Sequence, residues 1–432
     1  MGRATIVALG TAVAFLITVG AASAQPTGRV ELGASAAQAD GTVACMYPMT
    51  GRGATYGRDS IHGIELALDR LADDPAAPRL RVLVEDSRSK ASFAVRMAED
   101  FISNQGADIL CGMVSSGVGR AVSRFARESG TILVGTDHAS SRLTLEEGHR
   151  YYFRVSSDTW YSHAAGARYL KELREETGWQ SLAFLGPDYE YGRVAWRDLR
   201  MALDQIGVDY EPAGTYWPRL YEPDYSLYIQ ALLENPPDIL VTALWGGDFN
   251  AFVEQARKTR LFELMRVANF DAGGNYDTLV SFGESAPEGL ILSARHHVNW
   301  PQTQRNRDFV RAFHDKAGHY PSYAALGAYT GILAIARAAE AGGDIRDTDA
   351  MIAALRGLEI PLPADPEGYT SYIDPETHQI VQAQAIGSPA RNGRFPPAQV
   401  LLGDWHVYEA ESLKPSPALI ERRRGNSGGS SP

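Results

Sequence analysis

The sequence predicts an α/β fold made of two doubly wound parallel-sheet lobes in series. Short apolar runs alternate with longer amphipathic stretches along most of the 432 residues, which is typical of strand-helix-strand units. Apolar residues make up 44% of the chain and charged residues 22%, as in ordinary globular proteins. A chain of this length can bury a sufficient core without disulfides or metals, so two or three folding units are expected.

The first residues resemble an export signal. Arg3 precedes an apolar run over residues 6–19, and Ala22-Ser23-Ala24 is a small-residue cleavage pattern. The run is short for a membrane span, so we expect residues 1–24 to be a signal peptide cleaved after Ala24. The protein would then be periplasmic, without stable membrane insertion. Residues 25–40 are polar and rich in alanine, and are predicted to be a linker.

The first lobe follows from a regular series of elements. Apolar residues at helical spacing, such as Ile61, Ile64 and Leu68, predict the first helix. The predicted strands are residues 42–46, 80–84, 108–114 and 131–134, and the predicted helices are residues 59–71, 91–104 and 119–128.

A second series of the same kind begins after residues 151–155. Its predicted strands are residues 182–185, 239–244, 266–270 and 290–294, an extended segment covers residues 208–216, and helices end near residues 176, 206, 233 and 258. Further helices are predicted at residues 303–316, 323–341 and 348–355. Extended pieces follow over residues 369–408, and residues 411–432 are predicted to be a flexible, solvated tail.

Composition argues against several classes of function. Lys and Arg total 41 against 52 Asp and Glu, so the net charge of −11 disfavours nucleic acid as a partner. Two cysteines cannot build a structural zinc cluster, and the chain has no Walker A sequence, no G-x-S-x-G elbow and no H-E-x-x-H. Gly117-Val118-Gly119 begins like a dinucleotide fingerprint, but Val122 occupies its last glycine position. We expect no cofactor, no metal and no catalytic residue.

Candidate ligand contacts lie in the loops that follow the strands, because open α/β sheets bind ligands beyond the carboxyl ends of their strands. These loops bring glycines together with aromatic, hydroxyl and acidic side chains, although serines there could instead cap helices, and Asp and Ser in turns often satisfy their own backbone. The candidates in the first lobe are Tyr56, Ser115, Ser116, Asp137, His138, Ala139 and Ser140. Those in the second lobe are Tyr189, Tyr191, Trp245 and Asp271.

The order of elements and several short motifs resemble the type I periplasmic binding proteins of ABC importers, specifically the Leu/Ile/Val-binding family for hydrophobic amino acids and amides. The resemblance covers residues 41–408. Its motifs are Pro48-Met49-Thr50-Gly51 with Tyr56-Gly57, Ser115-Ser116-Gly117, Phe153-Arg154, Asp188-Tyr189-Glu190-Tyr191-Gly192 and Asp374-Pro375-Glu376-Thr377-His378-Gln379.

The resemblance implies two lobes joined by three crossovers, near residues 156–158, 293–297 and 355–367. The N-terminal lobe would be residues 41–156 plus 296–356, and the C-terminal lobe residues 157–295 plus 357–410. A ligand carboxylate would be held by Ser116 and the turn of residues 137–140, and a ligand ammonium by Asp271. Tyr191 and Trp245 would contact the ligand from the second lobe, while Tyr56 and Tyr323 would line the apolar side.

Some residues depart from the family pattern. Thr136-Asp137-His138-Ala139 stands where relatives commonly have a small Pro-Ala-Ala-Thr-like turn, and Asp137 would repel an anionic ligand unless His138 or Arg142 offsets its charge. The ring-rich loops suit an aromatic or a cationic ligand. Trp160 could belong to the cleft or to the core, and Asp158 is expected to cap a helix rather than contact ligand.

The two cysteines, Cys45 and Cys111, fall on the first and third strands, which are neighbours in this fold. An oxidising periplasm would permit a disulfide, but adjacent parallel strands rarely offer its geometry. Two buried free thiols are therefore predicted.

The predicted function is capture of a small molecule between the lobes and its delivery to an ABC permease, by a monomer without enzymatic activity. Two alternatives remain open at this point. One is a ligand-sensing subunit of a membrane receptor, and the other is a secreted hydrolase that uses Asp137 and His138.

Overall fold

The computed structural model describes residues 28–284 and 286–427. The predicted signal peptide, residues 1–24, lies outside the described residues, as do the first residues of the predicted linker and the last five of the chain.

The first sheet has six strands, and its central strands are apolar runs that are buried on both faces because helices cover them. Its strands are β1 (Val30–Gly33), β2 (Gly41–Tyr47), β3 (Leu80–Asp86), β4 (Ile109–Gly112), β5 (Ile132–Gly135) and β6 (Tyr152–Arg154), in the order β1-β3-β2-β4-β5-β6. Its helices are α1 (Ala54–Ala72), α2 (Ala91–Gln105), α3 (Ser116–Ser129) and α4 (Arg142–Leu145). Strands β2 to β6 pair in parallel.

The middle of the chain supplies most of the second lobe. Its strands are β7 (Ser181–Leu185), β8 (Glu211–Tyr216), β9 (Ile239–Thr242), β10 (Arg266–Asn269) and β11 (Leu290–Leu292). Its helices are α5 (Thr159–Thr177), α6 (Glu190–Gln205), α7 (Ser226–Glu234), α8 (Gly246–Ala256), α9 (Leu261–Leu264) and α10 (Tyr276–Ser281).

The last third of the chain contributes to both lobes. It contains helices α11 (Gln304–Ala317), α12 (Tyr323–Gly342) and α13 (Thr348–Leu355), then strands β12 (Glu359–Ile360), β13 (Ser371–Ile373), β14 (Ile380–Val381), β15 (Gln384–Arg391) and β16 (Val400–Tyr408), and helices α14 (Ala410–Leu413) and α15 (Pro417–Ser427). Helix α12 packs on α1 so closely that a Cβ on Gly63 would lie 2.2 Å from the Ala325 carbonyl oxygen. Strands β15 and β16 extend the second sheet, whose order is β16-β15-β11-β10-β9-β7-β8.

The α/β class with two parallel-rich sheets is therefore confirmed. The third crossover differs from its expected place near residues 355–367. Strands β12 to β14 form a separate three-stranded sheet, where Gln379 bridges Arg154 at the edge of the first sheet. The chain joins the second sheet only at Gln384. The expected place came from the family resemblance, and these strands, which are only two or three residues long, carry no hydrophobic period from which the sequence could have corrected it.

The predicted linker and tail are both partly ordered in the structure. Residues 30–33 form an edge strand antiparallel to β3, and Arg81 pairs there with Glu31 at 2.7 Å. Residues 417–427 form helix α15, whose Arg423 is only 3% exposed and pairs with Glu146 and Asp198, both at 2.8 Å. Both segments look polar in sequence, and each becomes ordered through contacts with residues that are distant in the chain.

The prediction of free thiols is wrong, because Cys45 and Cys111 form a disulfide. The two residues are direct partners in the β2–β4 ladder, with their Cα atoms 4.4 Å apart. That separation lies at the short end of the range that a disulfide spans. The sequence indicated neighbouring strands but not this register.

Candidate functional site

A narrow cleft separates the carboxyl ends of the two parallel sheets. Its walls come from both lobes, as expected for a doubly wound pair. The lining residues are Val114, Ser116, Ala139, Tyr189, Tyr191, Trp245, Arg295 and Tyr323. Six of these eight are among the predicted ligand contacts. The remaining cavity is about 10 Å³, so a ring-sized ligand enters only when the lobes separate or a side chain moves.

The wall of the first lobe is organised by Ser116 at the start of α3. Its Oγ accepts hydrogen bonds from the backbone N–H groups of Ala139 at 3.3 Å and Ser140 at 3.2 Å. The loops after β4 and β5 are thereby tied together. Ser115 is the N-cap residue of α3, but its side chain makes no capping hydrogen bond. The N-terminal end of this long helix suits a negatively charged group.

Arg295 lines the cleft and lies between two carboxylates. Its guanidinium donates to Asp271 Oδ2 at 3.0 Å and to Asp137 Oδ1 at 2.6 Å. Asp271 also accepts from the Tyr191 hydroxyl and from Ser162 Oγ, each at 2.8 Å. The negative charge of Asp271 is therefore compensated within the chain. The family resemblance had implied that Asp271 would bind a ligand ammonium.

The two carboxyl groups respond differently to burial. Burial opposes the ionised form of Asp271, but the attraction and hydrogen bonds of Arg295, with the Tyr191 hydrogen bond, hold its pKa below the usual range. Burial raises the pKa of Asp137 to about 7, although Arg295 counteracts this and Asp271 adds to it. Asp137 Oδ2 has no hydrogen-bond partner among the described residues. Asp137 is thus the carboxyl group of the cleft that can gain a proton near neutral pH.

Aromatic rings form the rest of the cleft. The Arg295 guanidinium lies 4.3 Å from the centre of the Tyr323 ring. Tyr56 stacks on Tyr323 with ring centres 5.3 Å apart and lies 5.8 Å from the ring of Trp245. The Trp245 indole N–H donates to the Tyr189 hydroxyl at 3.1 Å. Because Arg295 already occupies the face of Tyr323, cation–π capture of a cationic ligand there would bring two positive charges together.

Polar contacts hold the two lobes together beside the cleft. Glu190, at the start of α6 in the second lobe, accepts from Ser140 Oγ and from Arg142 Nε, both at 2.9 Å. Arg52 pairs with Asp248 across the lobes at 3.1 Å. The structure therefore shows the lobes in a closed arrangement.

Not every predicted site residue lines the cleft. His138 is fully buried within the first lobe, where Nδ1 lies 3.2 Å from the Met113 carbonyl oxygen and Nε2 lies 2.7 Å from the Tyr152 hydroxyl. A carbonyl only accepts, so Nδ1 carries the proton and Nε2 accepts from tyrosine. Burial lowers the pKa of His138 to about 3, so it is neutral.

The neighbours of His138 explain two further features of the sequence. A Cβ on Gly119 would lie 2.5 Å from the His138 ring, so this glycine, which resembled part of a dinucleotide fingerprint, makes room for the imidazole. The negative charge of Asp137 is offset by Arg295, and not by His138 or Arg142. Arg142 pairs with Glu190 instead.

Trp160 and Asp158, whose roles were discussed from the sequence, both have structural roles. Trp160 is buried and donates its indole N–H to the Leu413 carbonyl oxygen at 3.0 Å, which places it in the core. Asp158 caps α5 by accepting from the Tyr161 N–H at 3.0 Å, as expected, and also pairs with Arg154 at 2.7 Å.

Arg295 is the main residue that the sequence analysis missed. It lies within the predicted second crossover, residues 293–297. A cation in a segment that passes the edges of both sheets was the signal that could have identified it. Its neighbours His296 and His297 have other partners: His296 lies 2.9 Å from Asn306 Oδ1, and His297 packs against Trp405.

No group of three or more His, Cys, Asp or Glu side chains within residues 28–284 and 286–427 is arranged to hold a metal ion. None of the helices in those two ranges combines the length and hydropathy needed to cross a membrane.

Comparison with known proteins agrees with the fold. The model of the family described as "Periplasmic binding protein" matches residues 41–394. The Leu/Ile/Val-binding protein homolog 6 of Brucella abortus (strain 2308) is 24% identical over 365 residues, covering 81% of this chain and 88% of that protein.

Two solved structures share the architecture. A solute-binding protein of an ABC transporter from Rhodopseudomonas palustris BisB5, in complex with 3,4-dihydroxybenzoic acid, superposes with a TM-score of 0.75 at 21% identity, over 86% of this chain and 97% of that one. Another from R. palustris, in complex with 4-hydroxybenzoate, gives a TM-score of 0.77 at 18% identity, over 88% of this chain and 99% of that one. With the two-lobed fold and the family match over most of its length, the chain belongs to the type I periplasmic binding proteins, the small-molecule-binding components of ABC transporters.

Proposed function

We propose that this binding protein captures an aromatic monocarboxylate, of the benzoate or hydroxybenzoate type, for an ABC importer. The single observation that carries the proposal is the position of Arg295, a buried cation that lines the cleft together with aromatic side chains and lies over the ring of Tyr323. A guanidinium presents two parallel donors that match a carboxylate, and the surrounding tyrosines and tryptophan match an aromatic ring.

Asp271 argues against an α-amino acid. A ligand ammonium needs an uncompensated acid, and Asp271 already receives hydrogen bonds from Arg295, Tyr191 and Ser162. Replacing that buried pairing with a ligand ammonium would leave Arg295 without one of its two carboxylate partners. A ligand with an acid and no amine avoids this cost.

Asp137 is the partner that a ligand carboxylate can replace. Its carboxyl group has a pKa of about 7, so it releases Arg295 at little cost when it takes up a proton. The ligand carboxylate would then bind between Arg295 and the start of α3, where Ser115 and Ser116 offer hydroxyl and backbone donors. The aromatic ring would pack among Tyr56, Tyr323 and Trp245.

Closure follows from the same contacts. A ligand that touches Ser116 in one lobe and Tyr191 or Trp245 in the other makes its full set of contacts only when the lobes are together. Its higher affinity for that form shifts the population toward the closed state. The small volume left in the closed cleft means that rings and Arg295 must rearrange around the ligand.

Relatives of the same fold support the ligand class. The two R. palustris proteins described above bind hydroxybenzoates, and a third from the same species, with a TM-score of 0.73 and 17% identity, is in complex with benzoate. In this chain, Arg295 and the rings that line the cleft are the features that suit such a ligand.

The remaining parts of the proposal concern the whole protein. The chain acts as a periplasmic monomer after cleavage at Ala24, binds its ligand without converting it, and delivers it to a permease. Its lobes follow the expected division, except that the third crossover comes at about Gln384.

Catalysis by Asp137 and His138 finds no support in the geometry, because both ring nitrogens of His138 are engaged by Met113 and Tyr152. Nothing in the structure favours a receptor subunit over a transporter component.

A calorimetric screen tests the ligand class. Benzoate, 4-hydroxybenzoate and 3,4-dihydroxybenzoate should bind, whereas benzamide, benzylamine and leucine should bind weakly or not at all. Benzamide keeps the ring and shape of benzoate without its charge, so it isolates the contribution of the carboxylate. Binding of leucine, isoleucine or valine with no response to any benzoate would refute the proposal.

Substitution of Arg295 tests the residue that carries the argument. Arg295→Gln should weaken benzoate binding by about 10- to 100-fold, since a hydrogen-bonded charge pair contributes roughly 1.5–3 kcal/mol. Arg260→Gln removes an exposed cation of the second lobe that neither lines the cleft nor bridges the lobes, and is the control. Equal affinities in the two variants would show that Arg295 does not hold the ligand.

A further inference from the structure

A second cavity, separate from the cleft, lies on the side of the molecule where α3, α4, α6 and α15 meet. Its volume is about 710 Å³, within the range of roughly 300–1,000 Å³ that small-molecule sites occupy. None of its lining residues lines the cleft. We refer to it as the arginine cavity, because eight of its thirteen lining residues are arginines.

The arginines come from three parts of the chain. Helix α3 of the first lobe contributes Arg120, Arg124 and Arg127, and α4 contributes Arg142. Helix α6 of the second lobe contributes Arg197. The C-terminal helix α15 contributes the run Arg422 to Arg424. Eight of the 41 basic residues of an acidic chain therefore converge on one cavity.

Carboxylates compensate only part of this charge. Glu147 pairs with Arg120 and Arg124, Glu190 with Arg142, and Glu146 and Asp198 with Arg197 and Arg423.

A fifth carboxylate, Glu376, reaches Arg424 at 3.3 Å. Eight arginines against these five carboxylates leave an excess of three positive charges. Arg127 and Arg422 form no ion pair with any residue in the described part of the chain.

The arginine side chains of the cavity are held in place by buried or partly buried contacts. Arg423 is 3% exposed and Asp198 is fully buried, and the Ser141 and Thr159 hydroxyls donate to Asp198 at 2.5 and 2.6 Å. Arg120, Arg142 and Arg197 are each about 30% exposed, so their guanidinium groups are held at a partly buried wall rather than free in solvent. Such prearranged guanidinium forks bind phosphate oxygens in pairs.

We infer that the arginine cavity binds a multivalent phosphate-type oxyanion. Three uncompensated charges exceed what a monovalent anion would neutralise, and a cavity of about 710 Å³ is too large for one phosphate group alone. The ligand class is a linear polyphosphate or a phosphorylated headgroup, with Arg127 and Arg422 supplying charge that no carboxylate takes up. Because the walls come from both lobes, the anion would contact both at once.

Titration calorimetry with the mature chain tests this inference. Tripolyphosphate should bind at one site, and sodium chloride of equal ionic strength should give no heat. The variant Arg127→Gln/Arg422→Gln should weaken tripolyphosphate binding at least about tenfold, because both exposed side chains face no carboxylate partner. Arg219→Gln/Arg260→Gln removes two exposed arginines outside the cavity and should bind like the unaltered protein.

Vesicle flotation distinguishes the source of the phosphate. Capture on phosphatidic acid vesicles but not on phosphatidylcholine vesicles, lost in Arg127→Gln/Arg422→Gln, would assign a lipid headgroup. Tripolyphosphate binding without vesicle capture would assign a free polyphosphate. No binding to either probe, or equal binding by the cavity variant and its control, would overturn the inference. Arg124→Gln, at a side chain that is 60% exposed, provides a second cavity variant if the double variant melts early.

Discussion

At the scale of single residues, the cleft is governed by how one cation is shared between two acids. Arg295 lies between Asp271 and Asp137, and the two acids differ in what else supports their charge. Asp271 has two hydroxyl donors as well as Arg295, whereas Asp137 leaves one oxygen without a partner. Ionised Asp271 is therefore part of the permanent structure, and Asp137 is the group that responds to its surroundings.

The first prediction follows from the pKa of Asp137. Because that pKa is about 7, a carboxylate ligand beside Arg295 binds together with a proton on Asp137. Benzoate affinity should fall as the pH rises from about 6 to 9, approaching tenfold per pH unit above the pKa. Calorimetry across this range in Asp137→Asn should give an almost constant affinity.

Asp349→Asn, at a side chain that is 81% exposed, is the control for loss of one carboxylate. It should keep the pH dependence of the unaltered protein.

The stability of the fold provides a second measurement, for which the direction of change with pH is defined. The folded pKa of Asp137 lies above its unfolded value, so ionisation destabilises the fold as the pH rises from about 4 to 7. A benzoate affinity that does not change with pH in the unaltered chain would contradict this role.

At the scale of elements, helix α15 closes the side of the molecule rather than trailing from it. Arg423 reaches Glu146 at the end of α4 and Asp198 in the middle of α6, so one side chain connects both lobes to the C-terminal helix. Arg423→Met should lower the free energy of unfolding by about 3–5 kcal/mol, because it leaves the buried Asp198 without its main partner. Urea denaturation measures this change.

The neighbouring exposed arginine provides the comparison. Arg422→Met should change the free energy of unfolding by less than about 0.5 kcal/mol, as is usual for surface positions without a partner. If both variants were equally stable, the ion pairs of Arg423 would contribute nothing to the fold and α15 would be dispensable.

The disulfide between β2 and β4 is a second prediction at this scale. It closes a loop with a sequence separation of 66 residues in the centre of the first sheet. Removing it with Cys45→Ala/Cys111→Ala should lower the free energy of unfolding by about 2–4 kcal/mol. Dithiothreitol should lower the melting temperature of the unaltered chain and leave that of the double variant unchanged. A melting temperature insensitive to reductant in both proteins would argue against a structural disulfide.

At the scale of the whole molecule, closure depends on a few polar contacts across the lobe boundary. Glu190 is the most connected of them, since it joins Ser140 and Arg142 of the first lobe to α6 of the second. Glu190→Ala should shift the ligand-free protein toward the open form and weaken ligand binding severalfold, with little loss of stability in either lobe. Small-angle scattering should show a larger radius of gyration.

Glu263→Ala removes an exposed acid of the second lobe, 67% exposed, and is the control. Its radius of gyration should match that of the unaltered chain. An unchanged radius in Glu190→Ala, together with unchanged affinity, would show that this acid does not influence closure.

The predicted fold agrees closely with the observed one where a pattern is local. Helix α12 was predicted over residues 323–341 and covers residues 323–342, because its apolar residues recur over five turns. The same reasoning gave only undivided extended pieces over residues 369–408, where β13 and β14 lie, and it missed the two-residue β12 and also β1, whose order comes from pairing with β3. Local periodicity is informative only for elements long enough to show it.

The candidate site shows the same division. Position at a strand end was enough to find Ser116, Tyr189, Tyr191 and Trp245, since all four line the cleft. Position did not reveal side-chain direction, and His138, in the same loop as Asp137 and Ala139, is buried against Gly119 and Tyr152.

The sequence by itself determined the α/β class, the doubling of the lobes, the family and the sheet edges whose loops line the cleft. These follow from short-range periodicity and from loops that a parallel sheet brings to one edge. Only the tertiary structure decided that Arg295 compensates Asp271 and Asp137, that Arg423 ties α15 to both lobes, and that the two cysteines are paired. The contacts of Arg295 with Asp137, of Arg423 with Glu146 and of the two cysteines join residues 158, 277 and 66 positions apart, so the chain must fold before their charges and sulfurs can meet.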